Sequence, residues 1–438
     1  MGNYLGETSD QEIDPRLVDK QLVPPQPLVT TAQFAAIRRY FLDQSVIQFK
    51  QPEAVPSPSI SPVFEPVPLP IPATIITMIG IDPSDHALVL GTSRPASLQV
   101  SSRGKTTVID LNTEPVTFER LGTVLRVALM GHLGYDAGVG QIVDLNLQDS
   151  ARQIVVDTHP RIAAHRTADV DGDGHDDLLV CGVGDYSKGR VGIWWGGTQP
   201  MKEQVLLEEA GTVWCDIADL DGDGDRDIVL TLANGRPRLV AFVNEGSRRF
   251  VPRNVVERPV GWGYNRCLLV DWDGDGRLDI VELAGNNLEL RGRPLKANHG
   301  VRVLHNDGNW QFHEVLFERL DGAIDVASGD FDGNGRVDLA VTAFYPDWRL
   351  PFPTTLLLLM QKPDGTVERN GIDDRYWNRW MRIGSGDADG DGDIDLVLGA
   401  AEVPVGIPPE HVARFPQLIE NKASVMLLRN RTQRSTNP

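Results

Sequence analysis

Nine-residue segments of the form D-x-[DN]-x-[DN]-G-x-x-D begin at Asp169, Asp219, Asp271, Asp330 and Asp387, 50 to 59 residues apart, and each runs straight into a short apolar stretch. Regular recurrence of one unit implies a repeat architecture, in which each unit buries its apolar face against the next. The nonapeptides read DVDGDGHDD, DLDGDGDRD, DWDGDGRLD, DFDGNGRVD and DADGDGDID. Oxygen ligands at alternating positions of a tight glycine-containing turn point inward, which suits a hard cation with six to eight oxygen neighbours.

In the first copy Asp169, Asp171 and Asp173 supply positions one, three and five, and Asp177 closes the shell at nine. The corresponding sets are Asp219, Asp221, Asp223 and Asp227; Asp271, Asp273, Asp275 and Asp279; Asp330, Asp332, Asn334 and Asp338; and Asp387, Asp389, Asp391 and Asp395. Position seven offers its backbone carbonyl, from His175, Asp225, Arg277, Arg336 and Asp393. No soft ligand stands at the side-chain positions, so about five Ca2+ ions are expected rather than zinc or copper. Mg2+ is the second choice, because it prefers a smaller shell that keeps several waters. A metal-free acidic turn would crowd three to five carboxylates together, at a cost in repulsion repeated in every copy.

An EF-hand needs a bidentate Glu at position twelve, where this chain has Val180, Leu230, Glu282, Val341 and Leu398. It also needs a helix after the loop, whereas these loops enter β-rich runs such as Ile228-Val229-Leu230. Each loop therefore joins two strands. Further strands follow in every repeat, for example Leu239–Val243 and Phe250–Val255, with Asn244-Glu245-Gly246 or Asn306-Asp307-Gly308 as turn chemistry between the third and fourth. Four short antiparallel strands per repeat of about 50 residues is the pattern of a β-propeller blade.

The loops with their flanking strands resemble the FG-GAP or VCBS repeat, the module of the integrin α-subunit propeller and of many bacterial secreted proteins. The resemblance spans about residues 73–430 and implies Ca2+ in the loop between the first two strands of a blade. Two degenerate blades without ligand sets are expected over Gly80–Gly91 and residues 122–146, making seven in all. The chain is thus expected to be all-β, a seven-bladed propeller with a short helical extension. Its divisions would be residues 1–51, a connector at 52–72, the propeller at 73–430 and a polar tail at 431–438. The last blade lacks a fourth strand of its own, and Val63–Leu69 resembles one; it is expected to pair with residues 424–430 and latch the ring. Its prolines fit only an outer edge.

Residues 52–72 hold eight prolines and read as a stiff connector. Thr30 with Gln33 forms a capping box ahead of a helix whose apolar side carries Phe34, Ile37 and Phe41. Residues 1–42 resemble the segment preceding the propeller in exported bacterial proteins of this family, the tail of a c-type-cytochrome-like region. The C-x-x-C-H motif such a region needs is absent, and a helix packed on the propeller rim is the plainer reading.

Twenty-two of the 61 acidic residues lie in the nonapeptides, against a net charge of −19. Five Ca2+ would contribute about +10 and leave roughly −9, so the loops account for about half of the net negative charge. No basic patch supports nucleic-acid binding. No apolar run reaches membrane-spanning length, and the first residues lack a signal-peptide or myristoylation pattern, so a soluble, unanchored chain is expected. Calcium loops of this kind nonetheless favour the exported side. Cys181, Cys215 and Cys267 make no zinc or redox spacing; Cys215 and Cys267 occupy equivalent strand positions, and buried thiols are expected rather than a bond between those two.

Loops on the propeller face opposite the metal loops carry His159, His165, Trp214, Trp262, Tyr264, Arg266, Trp348, Arg349, Trp377, Arg379, Trp380 and Arg382, and the insertions 284–300, 343–355 and 400–424. Aromatics and arginines make contact hot spots, so a protein or glycan partner is expected at this face. The leading expectation is a non-catalytic, calcium-stabilised binding scaffold. Alternatives are a lyase-like enzyme on polysaccharide, for which the sequence shows no convergent acid–base set, and an accessory to a c-type-haem redox system.

Overall fold

A computed structural model describes residues 28–44, 51–73, 75–131, 139–149, 151–184, 188–198, 200–287, 294–420 and 422–432. The chain divides into two compact units, Met1–Gln51 and Pro52–Pro438. In the first, a helix spans Thr31–Gln44. Its start is the expected capping box: the Gln33 amide donates to Thr30 Oγ1 at 3.2 Å and the Thr30 amide to Gln33 Oε1 at 2.8 Å. The resemblance drawn over residues 1–27 and the tail 433–438 lie outside the described residues, as does the side chain of Phe41.

The second unit is a seven-bladed β-propeller of four-stranded antiparallel blades. Blade 1 comprises Ile75–Ile81, Leu88–Ser93, Ser97–Ser102 and Lys105–Asp110. Blade 2 comprises Pro115–Leu121, Val124–Leu129, Val139–Asn146 and Arg152–Pro160. Blades 3 to 7 begin at Ile162–Ala168, Thr212–Ala218, Tyr264–Val270, Ala323–Gly329 and Trp380–Gly386. The two repeats without ligand sets are therefore complete blades.

Burial follows radial position. The second strands of the five loop-bearing blades, Asp177–Gly182, Asp227–Leu232, Asp279–Ala284, Asp338–Ala343 and Asp395–Ala400, are buried at every residue. Each is packed on both faces between neighbouring blades, which is why these segments read as unbroken apolar runs instead of alternating. The fourth strands are more open, Phe250–Glu257 being largely exposed. Where the ring closes, blade 7 meets blade 1 so tightly that a Cβ on Gly384 would stand 2.8 Å from Gly80 Cα.

The latch forms as expected: Phe64–Leu69 pairs antiparallel with Val425–Asn430 and completes blade 7. Pro66 and Pro68 sit on the outermost strand, where no neighbour needs their missing N–H groups. Ser59–Ile60 adds a parallel strand to the outer edge of blade 6. The Arg349 guanidinium donates to the Pro52 carbonyl at 3.0 Å, and Arg319 donates to that of Glu53. The proline-rich connector is thus a strap drawn around the rim of blades 6 and 7.

The cysteines depart from expectation. Cys181, on the second strand of blade 3, is disulfide-bonded to Cys215, on the first strand of blade 4. Cys267 is a buried free thiol, within 3.0 Å of Thr231 Oγ1. The physical reason is the blade interface: a second strand packs against the first strand of the next blade, so equivalent first-strand positions such as Cys215 and Cys267 never meet. Thr231 and Cys267 repeat, one blade on, the positions that Cys181 and Cys215 occupy.

Candidate metal loops and the channel behind them

Each nonapeptide joins the first and second strands of its blade, so all five tips lie on one face. The turns between third and fourth strands share that face: Arg248, from the turn after Asn244, donates to Asp171 at 2.6 Å in the loop of the preceding blade.

The five loops have nearly one geometry. The first aspartate caps the turn: Asp169 accepts from the amides of Gly172 at 2.8 Å and Gly174 at 2.9 Å. Asp219 does the same with Gly222 and Gly224, Asp271 with Gly274 and Gly276, and Asp387 with Gly390 and Gly392, while Asp330 takes Asn334 and Gly335. Position six has φ of 86° at Gly174 and 94° at Gly224, a left-handed backbone that a side chain would strain. Position five accepts from the amide of position seven: Asp173 from His175, Asp223 from Asp225, Asp275 from Arg277, Asn334 from Arg336 and Asp391 from Asp393.

Position nine is buried and held at both oxygens. Asp177 accepts from the amides of Val170 at 2.9 Å and Gly196 at 2.8 Å. The equivalents are Asp227 with Leu220 and Asn244, Asp279 with Trp272 and Asn306, Asp338 with Phe331 and Gln361, and Asp395 with Ala388 and Asn430. Burial, reinforced by the carboxylates beside them, pushes Asp227 and Asp338 up to about 6, and raises Asp177, Asp279 and Asp395 as well.

These side chains converge. Asp169, Asp171 and Asp177 each present an oxygen within 4.8 Å of the others, as do Asp219, Asp221 and Asp227, and Asp330, Asp332 and Asp338. In blade 5, Asp271, Asp273 and Asp275 form one such set and Asp273, Asp279 and His305 another. The sets could hold metal ions, and carboxylates held fanwise by backbone amides fit a hard divalent cation. His305, whose Nδ1 lies 3.2 Å from Asp279, comes from the third strand and was invisible to the loop pattern. Blade 1, which lacks the nonapeptide, has Arg120 at 3.4 Å from its buried Asp82.

Four residues outside the nonapeptides, Asn244 and Asn306 read as turn residues, Asn430 as a strand end and Gln361 given no role, brace the loops. Asn244 donates its side-chain amide to the Val170 carbonyl at 3.0 Å, position two of the preceding blade's loop. Asn306 does so to Leu220 at 3.0 Å, Gln361 to Trp272 at 3.1 Å and Asn430 to Phe331 at 2.8 Å. Blade 3 carries Gly196 at this place, and the blade before it has no loop to hold. Only the coincidence of Asn or Gln at one repeat position could have signalled this.

The opposite face differs from expectation. His159, His165, Tyr264, Trp348, Trp377, Arg379 and Trp380 are buried. Trp348, Trp377, Ile407 and Phe415 form a small core that binds the insertions of blades 6 and 7 together. Arg379 is locked inside, donating to the carbonyls of Phe344 and Val405 at 2.8 Å. His165 is packed against Thr117 Oγ1 at 2.7 Å. Trp348, Trp377 and Arg379 are spent on the core that the long insertions need for themselves. Trp214, Trp262, Arg266 and Arg382 remain half-buried and Arg349 is exposed.

Trp214, Arg266 and Arg382 line a cavity of about 460 Å³ in the central channel. Its lining comes mostly from the early residues of the first strands, including Asn265 and Asp325, so it occupies the half of the channel away from the metal loops. Arg166 and Arg266 both lie over the Trp214 ring, 4.7 and 4.0 Å from its centroid.

A family model described as FG-GAP-like repeat matches residues 169–230 and 219–282. No curated protein matches the sequence. Among solved structures, BBS1N in complex with ARL6DN aligns with a TM-score of 0.51 at 13% identity, over 87% of this chain and 99% of that one. The calcium-binding protein regucalcin from Agrobacterium tumefaciens aligns at 0.43 and 10% identity, over 85% and 95%. The Myceliophteria thermophila Cps50 (Swd1) propeller domain aligns at 0.45 and 12%, over 77% and 96%. These likenesses concern the propeller fold.

Proposed function

We propose, from the premise that this chain is an FG-GAP repeat β-propeller, that it is a calcium-stabilised, non-catalytic scaffold that binds a protein or glycan by the face opposite its metal loops. The observation that carries the calcium reading is the repeated oxygen set, with Asp169, Asp171 and Asp177, and likewise Asp219, Asp221 and Asp227 and Asp330, Asp332 and Asp338, within 4.8 Å of one another and no cysteine in these sets. Positions one, three, five and nine would supply carboxylate or amide oxygens and position seven a carbonyl. Bound calcium would neutralise carboxylates that burial otherwise disfavours and tie each loop to its blade.

Loops of extracellular affinity have dissociation constants of about 10⁻⁴ to 10⁻³ M. At ten times such a constant each site adds about 1.4 kcal/mol, and five add about 7. That compares with about 5–15 kcal/mol for a whole domain, so calcium would decide whether the ring stays folded. The Cys181–Cys215 disulfide favours an oxidising, exported compartment, where calcium is also plentiful.

Thermal unfolding with millimolar calcium and with a chelator tests the reading. A midpoint raised by at least 10 °C in calcium is the expected result, with magnesium giving less. Equal midpoints would refute it. For the partner, retention from native extract on the immobilised chain should survive substitutions on the loop face and fail with substitutions around Arg349 and Trp262.

A further inference from the structure

The channel cavity has a charge problem that its walls do not solve. Arg166 is matched by Asp216 at 2.6 Å, and Arg266 by Asp325. Asp325 is also engaged by the amides of Val326 at 3.0 Å and Ile383 at 3.2 Å. Among the described residues Arg382 has no such counter-ion: its Nε donates to the Thr77 carbonyl at 2.8 Å, and no described carboxylate lies within ion-pair distance of its guanidinium. Its side chain forms part of the cavity wall. Burial, with Arg266 nearby, lowers the Arg382 pKa against the opposing pull of Asp325. In a chain of net charge −19, a channel with surplus positive charge is the exception.

The remaining walls are mostly apolar, among them Met78, Val116, Ile324 and Ile383, and a volume of about 460 Å³ is that of a small-molecule site. A guanidinium presents two parallel N–H groups that match a carboxylate or phosphate edge. We propose that the central channel is a binding site for a small organic anion, held through a carboxylate or phosphate group by Arg382, with Arg266 and Trp214 forming the adjoining wall. This goes beyond the scaffold reading and does not depend on the metal loops.

The test is calorimetric titration of the full, calcium-saturated chain with succinate and with methyl phosphate, at fixed ionic strength, with succinamide as the neutral control. One-to-one binding of either anion but not of succinamide is expected, and the arm that binds names the class. Arg382→Gln should weaken binding about tenfold or more, the loss of one charge-assisted contact. Arg382→Lys, which keeps the charge but not the fork, covers the case in which the first variant fails to fold, and should weaken it at least about threefold. The proposal is overturned if neither anion binds, or if the folded variants bind as the parent does. Anion binding that persists while calcium titration shows nothing would sink the scaffold reading alone.

Discussion

Asn306 joins two acidic loops through one residue: its backbone amide donates to Asp279 Oδ1 at 2.7 Å in its own blade, and its side-chain amide to the Leu220 carbonyl at 3.0 Å in the blade before. The same double contact recurs at Asn244, Gln361 and Asn430, so each loop from blade 3 to blade 6 is held from behind by its successor.

Asn306→Ala removes the side-chain half alone and leaves the buried Leu220 carbonyl without that donor. A loss of about 1–3 kcal/mol in chemical denaturation is expected. Calcium binding should weaken at the blade 4 loop, to which residue 306 contributes no ligand. An unchanged calcium isotherm would show that the clamp does not shape the loops.

Acidity should oppose calcium. Asp227 and Asp338 are raised to about 6, chiefly by burial. A carboxyl raised above its unfolded value holds its proton more tightly in the fold. Its share of metal-free stability is therefore complete below the unfolded value near 4 and is lost as pH rises through about 6. Calcium requires the ionised form, so the stabilisation it adds should grow between about pH 5 and pH 7. Melting of metal-free and calcium-loaded samples across that range checks the sign.

Replacing Cys181 by Ser opens the bond between blades 3 and 4. With 34 residues separating the pair, a loss of about 3–4 kcal/mol is expected on chain-entropy grounds. Cys267, its thiol pushed up to about 12 by burial, should resist alkylation in the folded protein and react once unfolded.

Phe64→Ala tests the latch. Phe64 is 7% exposed and meets Phe331 edge-on, 5.6 Å between centroids. A loss of about 3–5 kcal/mol is expected. Because the Phe331 amide donates to Asp338, the calcium isotherm should also lose affinity in the blade 6 loop.

The loops were legible because their candidate ligands lie within nine consecutive residues, and the blades because second strands such as Asp227–Leu232 are buried throughout and mostly apolar. The latch was legible in Val63–Leu69, whose prolines permit a strand on an edge alone. What escaped depended on neighbours distant in sequence. Asn430 reaches Phe331 across 99 positions, and no local pattern separates that contact from a turn residue. Cys181 pairs across a blade boundary whose offset the repeat spacing does not encode. Trp348 and Trp377 read as a contact surface until the packing of Phe415 between the insertions is known.

The pairing of Phe64–Leu69 with Val425–Asn430 has a consequence for biosynthesis. At ribosomal speeds of about 5–20 residues per second, the earlier partner waits roughly 20 to 70 s for the later one to be made. During that time it is a lone β segment in a crowded cell, the kind that recruits wrong partners. Pro66 and Pro68 deprive it of two amide donors, which keeps the waiting segment unattractive to strangers while Val425–Asn430 can still accept it.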